Sequence, residues 1–283
     1  MSTDYQHLLF PYAYNILGST DDARDAIQDV LLKFITLPKD GIADERNYLI
    51  RSVINRAINI KNRNKRITHN DVWLPEPVAT EDADRDVHLK DILSYSLLVL
   101  LERLNAQERA VFILRESFDY AHQEIADTLD ITEENSRKLL SRAKDKLFKT
   151  GKVSPKAIHT KMETKAMLDK YIEAIRSKDM THIEELLAED IVFYADGGAK
   201  LQVVKKLCIG SQDVADLLLF VYHQYQSSYQ IVMGEVNHQP ALLYYHDGEL
   251  KVCQVFEMSP EEGKITQINS IVDPEKIRHI QVH

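Results

Sequence analysis

The chain has 283 residues, 44% of them apolar and 28% charged, with 35 Lys and Arg against 44 Asp and Glu for a formal net charge of −9. At roughly 100 to 200 residues per domain that is two or three units, each with enough apolar side chains for a core, so disorder as the main state is excluded. The longest wholly apolar run, Leu217 to Tyr222, is far shorter than the roughly 18 residues a membrane helix needs, and the first residues lack the basic start and apolar stretch of a signal peptide. The protein is therefore expected in the cytoplasm, with Cys208 and Cys253 as reduced, buried thiols.

In chain order, Phe10, Ala13, Tyr14 and Leu17 repeat at helical spacing, and Ser19-Thr20-Asp21-Asp22 offers N-caps for a helix over Ala23 to Ile35. A break at Leu37-Pro38-Lys39-Asp40-Gly41 precedes a further helix over Asp44 to Asn64. Trp73-Leu74-Pro75-Glu76-Pro77 must be extended, because each proline fixes its own φ and pushes its predecessor out of the α region. It lies in an acidic linker, Asp71 to Asp91, with seven acidic residues against Arg85 and Lys90. Helices are expected over 91–104, 106–117 and 121–148, the last interrupted near Asp130, then over 162–177 and 179–188. Strand-like segments follow at 190–195, 200–209, 229–236, 240–246, 249–257 and 264–272, so the last part is α+β.

Charge is unevenly placed. Arg46 to Arg66 holds seven basic residues and no acidic one, and Arg137 to Lys149 holds six against Asp145 alone. These islands suit phosphate contacts, whereas the acidic total does not. Residues 121–129, a turn at Asp130-Ile131-Thr132 and a longer helix from Glu133 to Phe148 have the grammar of a helix-turn-helix. On the second helix Ser136, Leu140, Ala143 and Leu147 form one stripe, while Lys138, Arg142 and Lys149 face away from it, flanked by Asn135 and Lys146. A solvated amphipathic helix has the same pattern.

Three stretches now resemble a known family. Leu17 to Phe34 (LGSTDDARDAIQDVLLKF) looks like the second-region helix of bacterial extracytoplasmic-function sigma factors of the sigma-70 type. Asn47 to Asn59 (NYLIRSVINRAIN) is similar to their −10 element helix, and Leu98 to Leu147 to their fourth region. Trp73-Leu74-Pro75-Glu76-Pro77, Asp196-Gly197-Gly198-Ala199-Lys200 and Asp273-Pro274-Glu275-Lys276-Ile277 resemble three signatures of the subgroup with a C-terminal SnoaL-like domain.

The resemblance implies a multidomain protein: two all-α helical domains, the second with the helix-turn-helix, followed by an α+β SnoaL-like cone-shaped barrel. The expected layout is region 2 over 1–70, the acidic linker over 71–91, region 4 over 92–150, a short linker over 151–160 and the SnoaL-like regulatory domain over 161–283. The implied function is an alternative sigma factor that directs RNA polymerase to promoters through −10 and −35 recognition, regulated in cis by its last domain.

Site residues carry over position by position. Asp25, Gln28 and Asp29 share a face and would dock on core RNA polymerase, although an ordinary solvated face looks alike. Arg51, Asn55, Arg56, Asn59, Lys61, Arg63, Lys65 and Arg66 would meet the −10 element, where cations hold phosphates and Asn55 and Asn59 suit base edges or an extruded base. Asn135, Lys138, Arg142 and Lys146 would meet the −35 element. Trp73, Leu74, Pro75, Glu76 and Pro77 would dock on Asp196, Gly197, Gly198 and Lys200 inside the same chain. The alternative for Trp73 is a cap on the N-terminal core.

SnoaL-like relatives include enzymes with an acidic general base. Asp190, Asp196, Glu235 and Asp247, with His223, His238 and His246, form no recognisable acid–base pair, so no catalytic residue, metal or cofactor is expected. Tyr222, Tyr225, Tyr229, Tyr244, Tyr245 and Phe256 would line a small-molecule cavity or simply form the core, which leaves an unknown small-molecule ligand open. The competing expectations are a SnoaL-type enzyme or sensor fused to a DNA-binding module, and a repressor of closed duplex DNA.

Overall fold

The computed structural model describes residues 2–37, 42–64, 72–81, 89–148, 161–199, 201–204 and 206–280. The chain divides into two compact units, one of residues 1–71 with 82–153 and the other of residues 72–81 with 154–283.

The first unit is helical. α1 (Ser2–Leu17) ends where Gly18 takes φ 74° and returns its N–H to the Tyr14 carbonyl at 2.7 Å, a left-handed termination that favours glycine. The next residue, Ser19, caps α2 (Thr20–Thr36) by accepting the Asp22 N–H at 3.2 Å. Asp44 does the same for α3 (Glu45–Asn64), accepting the Asn47 N–H at 3.0 Å. The three helices bury Leu9, Ala13, Tyr14, Ile27, Leu49, Val53 and Ile54 between them. A helical turn at Leu89–Asp91 leads to α4 (Tyr95–Leu101) and α5 (Ala106–Glu116). α5 opens with a reciprocal cap: Asn105 accepts the Glu108 N–H at 2.9 Å, and Glu108 accepts the Asn105 N–H at 3.0 Å.

α6 (His122–Leu129) and α7 (Glu133–Phe148) form the expected helix-turn-helix. Asp130 holds the turn at φ 54°, ψ 51°, and Thr132 caps α7 by accepting the Asn135 N–H at 3.1 Å. Ser136, Leu140, Ala143 and Leu147 are all buried, and Leu139 joins them.

The second unit places α8 (Lys161–Ser177), α9 (Met180–Leu186) and α10 (Ser211–Val221), which continues as a π-helical turn through Gln226, against one six-stranded sheet. The strands are β1 (Leu187–Asp196), β2 (Leu207–Ile209), β3 (Gln230–Val236), β4 (Gln239–His246), β5 (Glu249–Met258) and β6 (Ile265–Ile271). Their order is β2-β1-β6-β5-β4-β3, antiparallel except for β1 with β6. Tyr171, Ile183, Phe193, Val214, Leu218, Leu242, Tyr244, Phe256 and Ile268 form the shared core. A last helical turn, α11 (Pro274–Ile277), follows β6.

Two details depart from the sequence reading. Of the extended segment expected over 200–209, only Leu207–Ile209 pairs as a strand among the described residues. The apolar run at 217–222, to which the sequence assigned no element, lies on α10 and its π-helical turn; a continuous run without alternation fits a helix as well as a strand.

The turn at Asp130 makes a direct test. Asp130→Val, which brings a β-branched side chain into the left-handed region, is expected to lower stability by about 1–2 kcal/mol, whereas Asp130→Gly stays near wild type. Urea midpoints of the full chain check both.

Candidate functional site

The proline-stiffened segment is bound within the second unit. Asp196, the last residue of β1, accepts the Leu74 N–H through Oδ2 at 2.8 Å. The same oxygen takes the Lys276 ammonium at 2.6 Å, and Lys276 also donates to the Leu74 carbonyl at 2.7 Å. Both backbone polar groups of Leu74 are thus read by one buried ion pair, whose side chains are 6% and 9% exposed. The Lys276 nitrogen lies 4.4 Å from the centre of the Trp73 ring, a cation–π contact that adds to the charge pair. Leu74, Pro75 and Pro77 are buried.

The loop after Asp196 explains its glycines. The Gly198 N–H binds Asp196 Oδ1 at 2.8 Å, and Gly198 has φ 64°. A Cβ there would stand 2.2 Å from the Asp273 carboxylate, and one on Gly197 would stand 2.3 Å from the Leu201 carbonyl oxygen. Asp273 in turn caps α11 by accepting the Glu275 N–H at 3.0 Å, which fixes the turn that carries Lys276. Lys200 lies outside the described residues. The sequence reading singled out the Asp273–Ile277 motif but gave Lys276 no role; nothing in the local pattern shows that a lysine on a surface-like turn is buried.

A second set of bonds holds the segment further along, and the sequence reading missed it. Ala79 bridges to Val236, Val78 and Asn237 exchange bonds of 2.9 Å each way, and Thr80 N–H reaches the Glu235 carbonyl at 3.1 Å. Asn237 and His238 form the β3–β4 turn at φ 47° and 60°, and the His238 N–H binds the Thr80 hydroxyl at 2.8 Å. The linker thus joins the end of the sheet's β3 edge through one antiparallel bridge.

Other candidates in this unit do not converge. Asp190 is exposed on β1, Glu235 and His238 belong to the linker contacts, and Asp247 sits in the exposed β4–β5 turn beside His246. His223 bonds the Ile175 carbonyl at 2.9 Å. Tyr222, Tyr244 and Phe256 are core, while Tyr225 is exposed and Tyr229 stacks on His246. Burial pushes the hydroxyls of Tyr171 and Tyr244 and the thiol of Cys253 up, so all three stay protonated at neutral pH.

In the helical unit, Asp25 and Gln28 are exposed on α2, and Leu32 and Ile35 continue the same face, 65% and 75% exposed. Asp29 instead pairs with Arg56 of α3 at 2.5 Å. On α3, Arg51, Asn59 and Arg63 are exposed. Asn55 donates to the Thr128 carbonyl at 2.9 Å, and Lys61 binds the Leu17 carbonyl at 3.0 Å and both Glu102 oxygens at 2.8 Å. Lys65, Arg66 and Lys149 lie outside the described residues. On α7, Lys138 and Arg142 are exposed, Lys138 reaching Glu134 within its own helix, and Lys146 pairs with the buried Glu108 at 2.7 Å.

The family description "Sigma-70 region 2" matches residues 1–67, and "Sigma-70, region 4" matches residues 94–147. The ECF RNA polymerase sigma factor SigJ of Mycobacterium tuberculosis is 27% identical over 96% of this chain and 90% of its own length. The chain is an extracytoplasmic-function sigma factor. The probable sigma factor SigI of the same organism is 28% identical over 94% of this chain and 90% of its own length. A crystal structure of SigJ shares the fold, with a TM-score of 0.74 at 24% identity over 96% of this chain and 95% of that one. The second unit thus has the fold of the corresponding part of that structure. As a sigma factor the protein directs RNA polymerase to promoters and is a regulator of transcription. No helix among the described residues is long and apolar enough to cross a membrane.

Region 2 is therefore α1–α3, region 4 is α4–α7, and the segment bound within the second unit is part of the chain that joins them. Breaking the buried pair tests that dock. Lys276→Met leaves the Asp196 charge buried with fewer partners and is expected to cost about 3–5 kcal/mol, with Asp196→Asn in the same chain recovering part of it. The emission of Trp73, the single tryptophan, should shift to the red as its ring meets water.

Glu102 gives a pH prediction. Burial alone would raise its carboxyl, but Arg109 and Lys61 outweigh that and hold it below the ordinary 4.5. Its contribution is fully present above about pH 4.5 and lost as pH falls further. Acid titration of the wild-type chain should therefore show a loss of stability below that pH that Glu102→Gln lacks.

Proposed function

We propose that this sigma factor reads the −10 element with α3 and the −35 element with α7, docks on core RNA polymerase through α2, and is controlled in cis by its SnoaL-like domain. The observation that carries the control is the capture of Leu74 by Asp196 and Lys276: a stretch of the linker between regions 2 and 4 is folded into the C-terminal domain. Whatever fixes that linker limits the separations and orientations the two DNA-binding regions can take. The two prolines keep the segment extended before it binds, so docking costs little entropy.

The exposed row of Asp25, Gln28, Leu32 and Ile35 suits the polymerase, since it joins polar groups to apolar side chains that nothing in the helix requires at the surface. Arg51, Asn59 and Arg63 present the open cationic and amide groups of α3, and Lys138 and Arg142 those of α7. The SnoaL-like domain works as a peptide-binding regulator rather than a catalyst. Asp196, the one candidate carboxylate buried in this domain, is spent on Lys276, and the histidines serve turns and packing. The protein acts in the cytoplasm, where core polymerase and promoter DNA are found.

Transcription from a promoter library with purified core polymerase tests this reading. Trp73→Ala, Lys276→Met and truncation after Thr150 are expected to shift output in one common direction, because all three free the linker. Lys138→Ala and Arg142→Ala should weaken −35 use, by about 1–3 kcal/mol at one base pair for a base contact, or evenly with a shallower salt slope for a phosphate contact. A chain that fails to bind core polymerase, or a truncation without effect on output, overturns the assignment.

A further inference from the structure

The sequence assigns Asp29 to core polymerase and Arg56 to the −10 element, yet each is the other's partner where α2 packs on α3. Two nitrogens on one side of the guanidinium go to a single carboxylate oxygen: Arg56 Nε lies 2.9 Å and Nη2 2.5 Å from Asp29 Oδ2. The end of the fork, Nη1 with the second N–H of Nη2, makes no bond among the described residues, and the Arg56 side chain is 39% exposed. Asn59 and Arg63, both exposed, follow Arg56 on α3 at i+3 and i+7, so the three share one row of the helix.

Asp29 works from a fixed position. Two further contacts join the same helices on either side of the pair. Asn64 donates to Asp22 Oδ2 at 2.9 Å, and the Phe34 and Tyr48 rings lie 5.9 Å apart. Tyr48, Arg56 and Asn64 recur every eight residues along α3, roughly two turns, so the charged pair is the middle rung of three. Aspartate is short and has few rotamers. Set on a held backbone, it fixes the plane and direction of a long arginine that would otherwise surrender its rotamer freedom on binding.

We propose that Asp29 is a positioning residue for promoter recognition: it grips the side of the Arg56 guanidinium so that the open end of the fork meets a planar pair of acceptors in the −10 element. Those acceptors are two oxygens of a phosphate or O6 and N7 of a guanine, both of which an arginine fork matches. The proposal rests on α3 reading the −10 element and adds how one of its residues is aimed.

The geometry favours this role over two others. An ion pair this exposed adds little to stability, so holding α2 against α3 is not its main effect. A carboxylate that masked the cation until DNA arrived would occupy the end of the fork, where phosphate binds, and Asp29 occupies the side. The carboxylate does weaken the long-range attraction of Arg56 for DNA, and in exchange the fork is already oriented when contact is made.

Double-mutant cycles on the holoenzyme test the proposal, with a library-selected promoter fragment as the DNA. Asp29→Ala should weaken promoter binding about tenfold, the worth of one well-placed bidentate contact. Affinity for core polymerase and the urea midpoint of the free chain should stay near wild type. Arg56→Ala and Arg56→Lys should weaken promoter binding at least as much, because lysine keeps the charge without the fork. In the Arg56→Ala background, Asp29→Ala should have no further effect. A methylphosphonate at one position of the −10 element should abolish the difference between wild type and Asp29→Ala if the acceptors are phosphate oxygens, and 7-deazaguanine, which lacks N7, should abolish it if they belong to guanine. Failure of both modifications at every position overturns the proposal. A gain of promoter affinity in Asp29→Ala, the mark of a mask, does so too, as does a loss of core affinity that persists beside Arg56→Ala, the mark of a polymerase contact. Arg56→Ala with wild-type promoter binding overturns the assignment of Arg56 to the −10 element as well, whereas an Arg56 effect uncoupled from Asp29 overturns the positioning role alone.

Discussion

The Asp196–Lys276 ion pair is the interaction around which the second unit is organised. Placing two charges where water is nearly excluded is costly unless their attraction and their remaining hydrogen-bonding capacity are both used. Here Asp196 accepts from Leu74, Lys276 and Gly198, and Lys276 gives two bonds and a face to Trp73. Much of that capacity is met by the linker. An Asp196–Lys276 pair left behind by the linker would have to rehydrate or reorganise, so the pair rewards docking of this one peptide. Gly197 and Gly198 follow from the same demand, since a side chain at either would collide with the groups that shape the loop.

The helical unit uses buried charge for a different end. Glu102 neutralises Lys61 and Arg109 at a seam between helices of region 2 and region 4, and Glu108 draws in Lys146 from the recognition helix. Cations that sequence alone assigns to phosphate are in part committed to carboxylates of the protein. Arg56 is likewise held by Asp29, so a residue expected on the polymerase and one expected on the −10 element are bound to each other. Lys138, Arg142, Arg51, Asn59 and Arg63, proposed above for promoter DNA, are exposed. The chain's −9 charge belongs to the same logic: acidic partners inside the protein moderate its basic islands until a stronger polyanion competes.

Much of this was legible along the chain. Helical spacing marked α1, the cap candidates at Ser19 to Asp22 marked the start of α2, the Asp130 turn marked the helix-turn-helix, and strand-like composition marked β3 to β6. The buried stripe of α7 followed from 100° per residue. α10 did not, because a continuous apolar run carries no period to separate helix from strand. The docking role of Trp73 to Pro77 and Asp196 was readable from motif order, since proline-stiffened and glycine-containing segments announce their backbone geometry wherever they occur.

What the sequence by itself determined was each element's type, the two-part division into helical regions and an α+β domain, and which short motifs are too constrained to be ordinary loops. These are local properties, set by propensity, periodicity and the allowed dihedrals of glycine and proline. Only the tertiary structure decided which charge meets which. That Lys276 is buried under Trp73, that Asn237 pairs with Val78, and that Lys61 is spent on Glu102 all join residues separated by 41 to 203 positions, as with Lys61 and Glu102 at 41 and Trp73 and Lys276 at 203. A lysine has the same local signature whether its ammonium faces water, a phosphate or a buried carboxylate. Its desolvation and its partner arise only when the fold closes, and they determine what the residue does.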